Sequence, residues 1–431
     1  MRRELNSPCI TSAAAILMLS SFLPGSAEAA VPFVRTVPWV AGQPGIPHET
    51  YPGKSITLKG TTSFAAHFFY AKWRFGDGTP DALFIVSDSF DVSTTHTYAG
   101  PAGKRWTATL TIIDADSGET ASAEYNVVMR EDNLATRVNV AIDEGLWYLH
   151  RTLQRSSPGV SALADWDNLA PSPCNAGDQA CDNRNDSPAI NASNVLAFEL
   201  NGHLEKGPES NPYAEDVRRV LARMFTHMRA VAIPRRGTCP GNSCSFDPDG
   251  NGNGQAVFVQ SAGKPNAPDP TGQFIDAIVA SGTPDTKVMT GPENISGRTY
   301  KEIVQDLIDG YSYCRFSPAP EGPCPKGIAH PAAGWAKAGL PAAMKSFGVV
   351  VPPVVTQADQ SQLSSQTPAP VADRYATEIS KGVPNEASVR SLVSTQNPVG
   401  FWNGGGDIAG DRPFETAWSI IMLRRGSLRN Q

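Results

Sequence analysis

Trp73-Arg74-Phe75-Gly76-Asp77-Gly78-Thr79 reads as a β-strand running into a tight turn. Trp73 and Phe75 alternate toward a core, and Asp77-Gly78 supplies a turn with positive φ. Further on, His96-Thr97-Tyr98 puts a tyrosine under the same sheet. Alternation recurs in Ser55-Ile56-Thr57-Leu58-Lys59 and in Thr107-Ala108-Thr109-Leu110-Thr111-Ile112-Ile113, with turn residues between such runs. The stretch from Glu119 to Val128 alternates as a last strand, and polar Arg130-Glu131-Asp132-Asn133 follows. Short strands separated by Gly, Pro and Asp clusters predict a β-sandwich over residues 31–130.

Beyond that boundary the apolar period lengthens from two to about three and a half. Val138, Ile142, Leu146 and Leu149 share one helical face. Further helices are expected at Ala192 to Leu204, Tyr213 to Ala232, Gly272 to Ser281, Tyr300 to Tyr313, Gly334 to Phe347 and Phe414 to Arg424. Long Pro/Gly/Asn segments separate them and strand signals are scarce, so residues 135–431 read as an all-α domain.

The chain opens with Arg2 and Arg3, an apolar stretch from Ala13 to Leu23, and then Ala27-Glu28-Ala29-Ala30. That order predicts a signal peptide over residues 1–30, since the apolar core falls short of the roughly 20 residues that span a bilayer. The expected location is secreted, extracellular or periplasmic, with no membrane span after cleavage. Thirty-six basic and 42 acidic residues intermingle at a net charge of −6, a balance that leaves no nucleic-acid footprint.

Seven cysteines are present, and Cys9 falls in the signal segment. The other six form close pairs, Cys174 with Cys181, Cys239 with Cys244 and Cys314 with Cys324. Short loops close at the smallest entropic cost, so three local disulfides are expected in an oxidising compartment. A zinc site is the rival reading, but the spacing it needs is missing.

In order and spacing, the W-x-F-G-D-G-T run of Trp73 to Thr79, His96-Thr97-Tyr98 and the strand from Thr107 resemble the PKD domain over nearly 100 residues. That resemblance implies an Ig-like β-sandwich serving as an extracellular spacer or a binder of carbohydrate or protein. Val138-Asn139-Val140-Ala141-Ile142-Asp143-Glu144-Gly145-Leu146-Trp147-Tyr148-Leu149 looks like the opening helix of a repeat in the terpenoid-cyclase and prenyltransferase superfamily. Gln396-Asn397-Pro398-Val399-Gly400-Phe401-Trp402 is similar to that superfamily's Q-x-x-x-G-x-W repeat. The run Glu415 to Leu423 looks like the helix that closes such a repeat. The implied fold class is therefore multi-domain, an Ig-like β-sandwich followed by an α/α toroid. The Gln and Trp would be structural, tying one helix end to the next.

Chemistry is harder to find. Asp165-Trp166-Asp167-Asn168 has two carboxylates of the cyclases' D-x-D-D run and lacks the last, and no Asp/Cys/His zinc set is seen. His203, Glu205, His227 and His330 are candidates for polysaccharide cleavage in a toroid cavity, yet helical histidines are more often satisfied core or surface groups. Neither a G-x-S-x-G elbow nor a phosphate loop occurs. Asp247, Asp249 and Asn251 set oxygen donors at alternate positions among glycines, as calcium loops do, but Phe258 stands where an EF-hand's glutamate would fall. A plain Asn/Gly turn is the other reading, and calcium is the one cofactor the sequence suggests. The motif content favours extracellular binding or a structural role, with carbohydrate or protein as partner. The alternative is a polysaccharide-active hydrolase or lyase.

Overall fold

Alternating apolar residues draw the first part of the chain into nine strands among the described residues: β1 (Val34–Thr36), β2 (His48–Thr50), β3 (Ser55–Leu58), β4 (Gly60–Thr62), β5 (Phe69–Arg74), β6 (Ala82–Val86), β7 (Thr94–Thr97), β8 (Arg105–Asp114) and β9 (Thr120–Met129). The structure is a computed structural model that describes residues 33–40, 43, 45–62, 68–86, 89–155, 164–166, 188–238, 245–259, 271–316, 333–353, 355, 386–403 and 412–427. A five-stranded sheet runs in the order β2-β9-β8-β5-β6, while β1 pairs with β4 and β3 with β7. Within the large sheet β2 is parallel to β9 and the other neighbours are antiparallel.

The motif that opened the reading is structural throughout. Trp73 is fully buried and donates its indole N–H to the Val92 carbonyl at 2.7 Å. The Tyr98 hydroxyl donates to the Phe75 carbonyl at 3.1 Å. Gly76 has φ +78, and a Cβ there would sit 2.3 Å from the Thr107 carbonyl oxygen, so only glycine fits. Asp77 accepts from the Thr79 amide at 3.0 Å and meets His96 Nε2 at 2.7 Å, with His96 stacked on Phe75. Burial works against the Asp77 charge, but the bonds from Thr79 and His96 prevail and bring its pKa down to about 2.

Eight helices follow among the described residues: α1 (Leu134–Thr152), α2 (Pro188–Leu200), α3 (Pro212–Thr226), α4 (Thr271–Ala280), α5 (Tyr300–Phe316), α6 (Ala333–Phe347), α7 (Glu386–Thr395) and α8 (Arg412–Ser427). Asn133 caps α1 through its side-chain oxygen, and Asn211 does the same for α3, which has Pro212 in its first turn. α2 packs against α1, α3, α4 and α8, which buries nearly every residue it has.

The expected fold class does not describe the molecule. The first part is a mixed five-stranded sheet beside two separate strand pairs, because His48–Thr50 joins β9 in parallel. The second part is not all-α. It carries β10 (Gln154–Arg155), β11 (Ala164–Asp165), β12 (Met228–Ala232), β13 (Gly237–Thr238), β14 (Ser245–Phe246) and β15 (Gln255–Val259). The helix expected through Ala232 ends at Thr226, and Met228–Ala232 pairs antiparallel with Gln255–Val259. Met228 and Ala230 turn inward while Arg229 faces out, an alternation too short to see beside the helical pattern before it.

A buried charge cluster joins the first part to α1. Lys59 Nζ donates to Asp143 Oδ2 at 2.8 Å, to Glu144 Oε1 at 3.0 Å and to the Thr57 carbonyl at 2.9 Å. His48 Nδ1 lies 3.0 Å from Asp143 Oδ2, and the Thr57 amide and hydroxyl both donate to Glu144. Burial pushes the Asp143 carboxyl up, but Lys59 and His48 outweigh it and hold the group well below its usual range. Every described residue belongs to one compact unit, Pro32–Gln431.

The C-terminal motif braces α1. Gln396 Nε2 donates to the Ala141 carbonyl at 2.8 Å and the Gly400 carbonyl at 3.0 Å, and Trp402 Nε1 donates to the Leu392 carbonyl at 2.8 Å. Gly400, at φ +99, passes so close that a Cβ would lie 2.4 Å from the Glu144 carbonyl oxygen.

Candidate functional site

α2 is apolar except for Asn191, Ser193, Asn194 and Glu199; Asn191 Oδ1 accepts from the Trp166 amide at 3.0 Å, and the other three are unmatched. Ser193 Oγ, both amide atoms of Asn194 and both carboxyl oxygens of Glu199 are buried with no hydrogen-bond partner among the described residues. Neighbouring helices add Trp147 Nε1 and His150 Nε2 from α1, Tyr213 Oη from α3 and Gln273 Oε1 from α4. Buried polar groups are normally paired, so a set of orphans around one helix marks an interior suited to a polar occupant.

Rings connect part of this interior. Trp147 stacks on His150 at 5.0 Å between centroids, His150 meets Tyr213 at 5.5 Å, and Tyr213 meets Phe198 at 4.9 Å and His203 at 4.8 Å. His150 Nδ1 faces Asp216 Oδ2 at 2.5 Å, and Arg155 donates to Asp216 Oδ1. Burial lowers the His150 pKa and Arg155 adds to the effect, while Asp216 works against it.

At the C-terminal end of α2 two carboxyl groups differ sharply in surroundings. Glu199 is 5% exposed, and burial pushes its carboxyl well above the usual range, with the Glu205 charge pushing the same way. Glu205 is half-buried and accepts from the Tyr300 hydroxyl at 2.8 Å. Leu200 and Asn201, also half-buried, leave this end near solvent. Arg424 from α8 donates to the Leu200 carbonyl at 3.1 Å, satisfying a helix-end acceptor.

A second raised carboxyl is sealed instead. Burial, with Asp306 and Asp249 adding to it, pushes Asp309 on α5 up to about 8. Its Oδ1 accepts from the Gly250 amide at 3.0 Å and from Gln305 at 2.8 Å, and a Cβ at Gly250 would strike both side chains.

Two of the residues singled out from the sequence, His203 and Glu205, lie near this interior. His203 is buried against Tyr213 with Nδ1 3.1 Å from the Asn211 amide, and burial lowers its pKa to about 4. His227 caps the end of α3. Trp166 is buried and donates its indole N–H to the Leu149 carbonyl, while Asp167, Asn168 and His330 lie outside the described residues. So do the signal segment and Cys174, Cys181, Cys239, Cys244 and Cys324; Cys314 is buried near the end of α5 and disulfide-bonded. Asp247 accepts from the Asp249 amide at 3.0 Å, and Asp249 accepts from Gly252 and Gly254. Asn251 Nδ2 donates to Asp306 on α5 at 2.8 Å. Among the described residues no three or more His, Cys, Asp or Glu side chains are grouped as a metal site.

The sequence reading missed Glu199, His150 and Asp216. A lone acid inside Ala192-Ser193-Asn194-Val195-Leu196-Ala197-Phe198-Glu199-Leu200 was the available signal, since a helix buried all round has no wet side for a carboxylate. His150 and Asp216 are 66 residues apart and carry no such mark.

No protein-family model and no curated protein matches the chain. Among solved structures, a family 76 glycoside hydrolase from a bovine Bacteroides thetaiotaomicron strain aligns at 10% identity and a TM-score of 0.31, over 89% of this chain and 98% of that one. No described helix is long and apolar enough to cross a membrane.

Proposed function

We propose that the chain is an exported carbohydrate-active hydrolase in which Glu199 is the proton donor. The observation that supports it is the nearness of a carboxyl whose pKa burial raises, Glu199, to a half-buried carboxyl, Glu205, at one end of α2. Glycosidic hydrolysis needs such a pair, an acid to protonate the leaving oxygen and a carboxylate to attack the anomeric carbon or activate water. Asp309 has the raised pKa without the access, because the loop at Gly250 covers it. The orphaned donors and acceptors beside α2 are the kind that bind hydroxyl-rich ligands. In this reading residues 31–130 are a β module and residues 135–431 the catalytic part.

The test is release of reducing ends from a panel of α- and β-linked polysaccharides by the full chain. Activity on at least one member, reduced at least about a thousandfold in Glu199→Gln with the fold intact, is the expected result. No release by the unmodified protein, or full activity in Glu199→Gln, would overturn the assignment.

One observation favours a binding role instead. On the outer face of the five-stranded sheet, Ile85, Tyr70 and Ile113 stand in register across three strands, with Leu83 and Phe68 exposed nearby. Ile113 is half-buried, while Phe68, Tyr70, Leu83 and Ile85 are exposed, and exposed apolar groups clustered like these mark interaction surfaces. Retention on insoluble polysaccharide, lost in Tyr70→Ala while hydrolysis is absent, would support that role over the enzyme.

A further inference from the structure

We propose that Tyr300 is a positioning residue that aims Glu205 within the hydrolase site. The inference rests on the hydrolase reading and adds to it the part played by α5. Tyr300 is the first residue of that helix, and its place is fixed independently of its hydroxyl. A reciprocal cap sets the start of α5, with the Thr299 amide donating to Glu302 Oε2 at 2.7 Å and the Glu302 amide to Thr299 Oγ1 at 3.2 Å. The Tyr300 amide donates to the Thr286 carbonyl at 2.9 Å. Its ring is buried and packs on Phe225 of α3 at 5.1 Å between centroids. From this anchored ring the hydroxyl donates to Glu205 Oε2 at 2.8 Å.

The backbone of Glu205 is held by α3. Arg218 Nη1 donates to the Glu205 carbonyl at 2.9 Å and to the Gly207 carbonyl at 3.2 Å. One helix therefore pins the main chain and another pins the side chain, so a residue in a connecting turn acquires the fixed geometry that a reacting carboxylate needs. The bond from Tyr300 takes up Oε2, and Oε1 is the oxygen left for a sugar or a water.

The same bond sets the two acids apart. A donated hydrogen bond favours the charged form of a carboxyl group. Glu205 receives one from Tyr300, and Glu199 receives none among the described residues. Burial, with the charge of Glu205 and of Glu199 adding to it, holds the Tyr300 hydroxyl far above its usual range, so it remains a donor. Both acids act on Tyr300, which groups the three side chains at this end of α2.

A bond that merely tied the turn to α5 would change stability and leave the reaction alone. Steady-state kinetics of the full chain across pH separate the two roles, on the panel polysaccharide from which the unmodified protein releases reducing ends fastest. Tyr300→Phe deletes one oxygen and keeps the ring against Phe225, and melting temperatures check that each variant is folded. It should lower kcat at least about tenfold with KM changed less than about twofold, and should move the acid limb of the pH profile upward. Added to Glu205→Gln, it should cost no more than about a further twofold, since the carboxylate that it aims is already gone. Unchanged kcat and pH profile in Tyr300→Phe, beside lost activity in Glu199→Gln, would overturn this inference and leave the hydrolase reading standing. The full loss recurring on top of Glu205→Gln would also overturn it, because Tyr300 would then act elsewhere. No release by the unmodified chain would remove the hydrolase reading and this inference with it.

Discussion

Two parts of the molecule bury charge in opposite ways. At the junction with the β-strands, Lys59, Asp143, Glu144 and His48 are all out of water, and the lysine and both carboxylates are matched by hydrogen bonds. At the C-terminal end of α2, Glu199 is equally buried and neither oxygen has a partner among the described residues. A matched cluster is what holding two parts of a chain together requires, because each charge is worth keeping only while its partner remains. An unmatched buried acid does nothing for stability.

The largest expected effect breaks the first half of that contrast. Lys59→Met should cost about 3 to 5 kcal/mol, because Asp143 and Glu144 would be left buried beside each other without a cation. Urea unfolding at neutral pH measures it, and a loss under about 1 kcal/mol would mean that the cluster does not hold the junction. Glu199→Met should go the other way, gaining about 1 to 2 kcal/mol in the same assay, since an unpartnered polar group leaves the interior. A clear destabilisation would show that Glu199 has a structural partner and would weaken its proposed role as acid.

Smaller effects come from pH. The His203 pKa of about 4 lies below the ordinary value near 6.5, so the unfolded chain takes up a proton in that interval and the folded chain does not. Its contribution to stability is present above about 6.5 and is lost as pH falls toward 4. His203→Gln should flatten that part of the melting-temperature profile. Asp77, at about 2 against an ordinary value near 3.9, stabilises above about 4 and ceases to do so as pH falls toward 2. Asp77→Asn should remove that acid-side slope while leaving the His203 interval unchanged, which would separate the two regions by their pH response.

Much of the local structure was legible beforehand, for definite reasons. Trp73 and the run from Thr107 specify strands and their inward face because side chains alternate with a period of two, and Phe75 and Tyr98 are buried just past the ends of β5 and β7. The helices beginning near Ala192, Tyr213, Gly272, Tyr300, Gly334 and Phe414 were placed by apolar period and lie within a few residues of their observed starts. Gln396 and Trp402 are structural, but Gln396 braces the middle of α1 through the Ala141 carbonyl and not a helix end, while Trp402 bonds the Leu392 carbonyl near the end of α7.

Other features had no local signature. The parallel pairing of His48–Thr50 with β9, the pairing of Met228–Ala232 with Gln255–Val259, and the meeting of Lys59 with Asp143 and Glu144 join segments tens of residues apart. Charge in the sequence does not reveal whether a carboxylate will be wet, paired or orphaned, and Asp143, Glu205 and Glu199 are three different outcomes for the same kind of side chain. The Asp249 loop shows the same division. Its oxygen and glycine spacing is visible in the chain, but only the fold brings Asp306 beside it. Local periodicity depends on neighbours in sequence, whereas desolvation and charge pairing depend on neighbours in space.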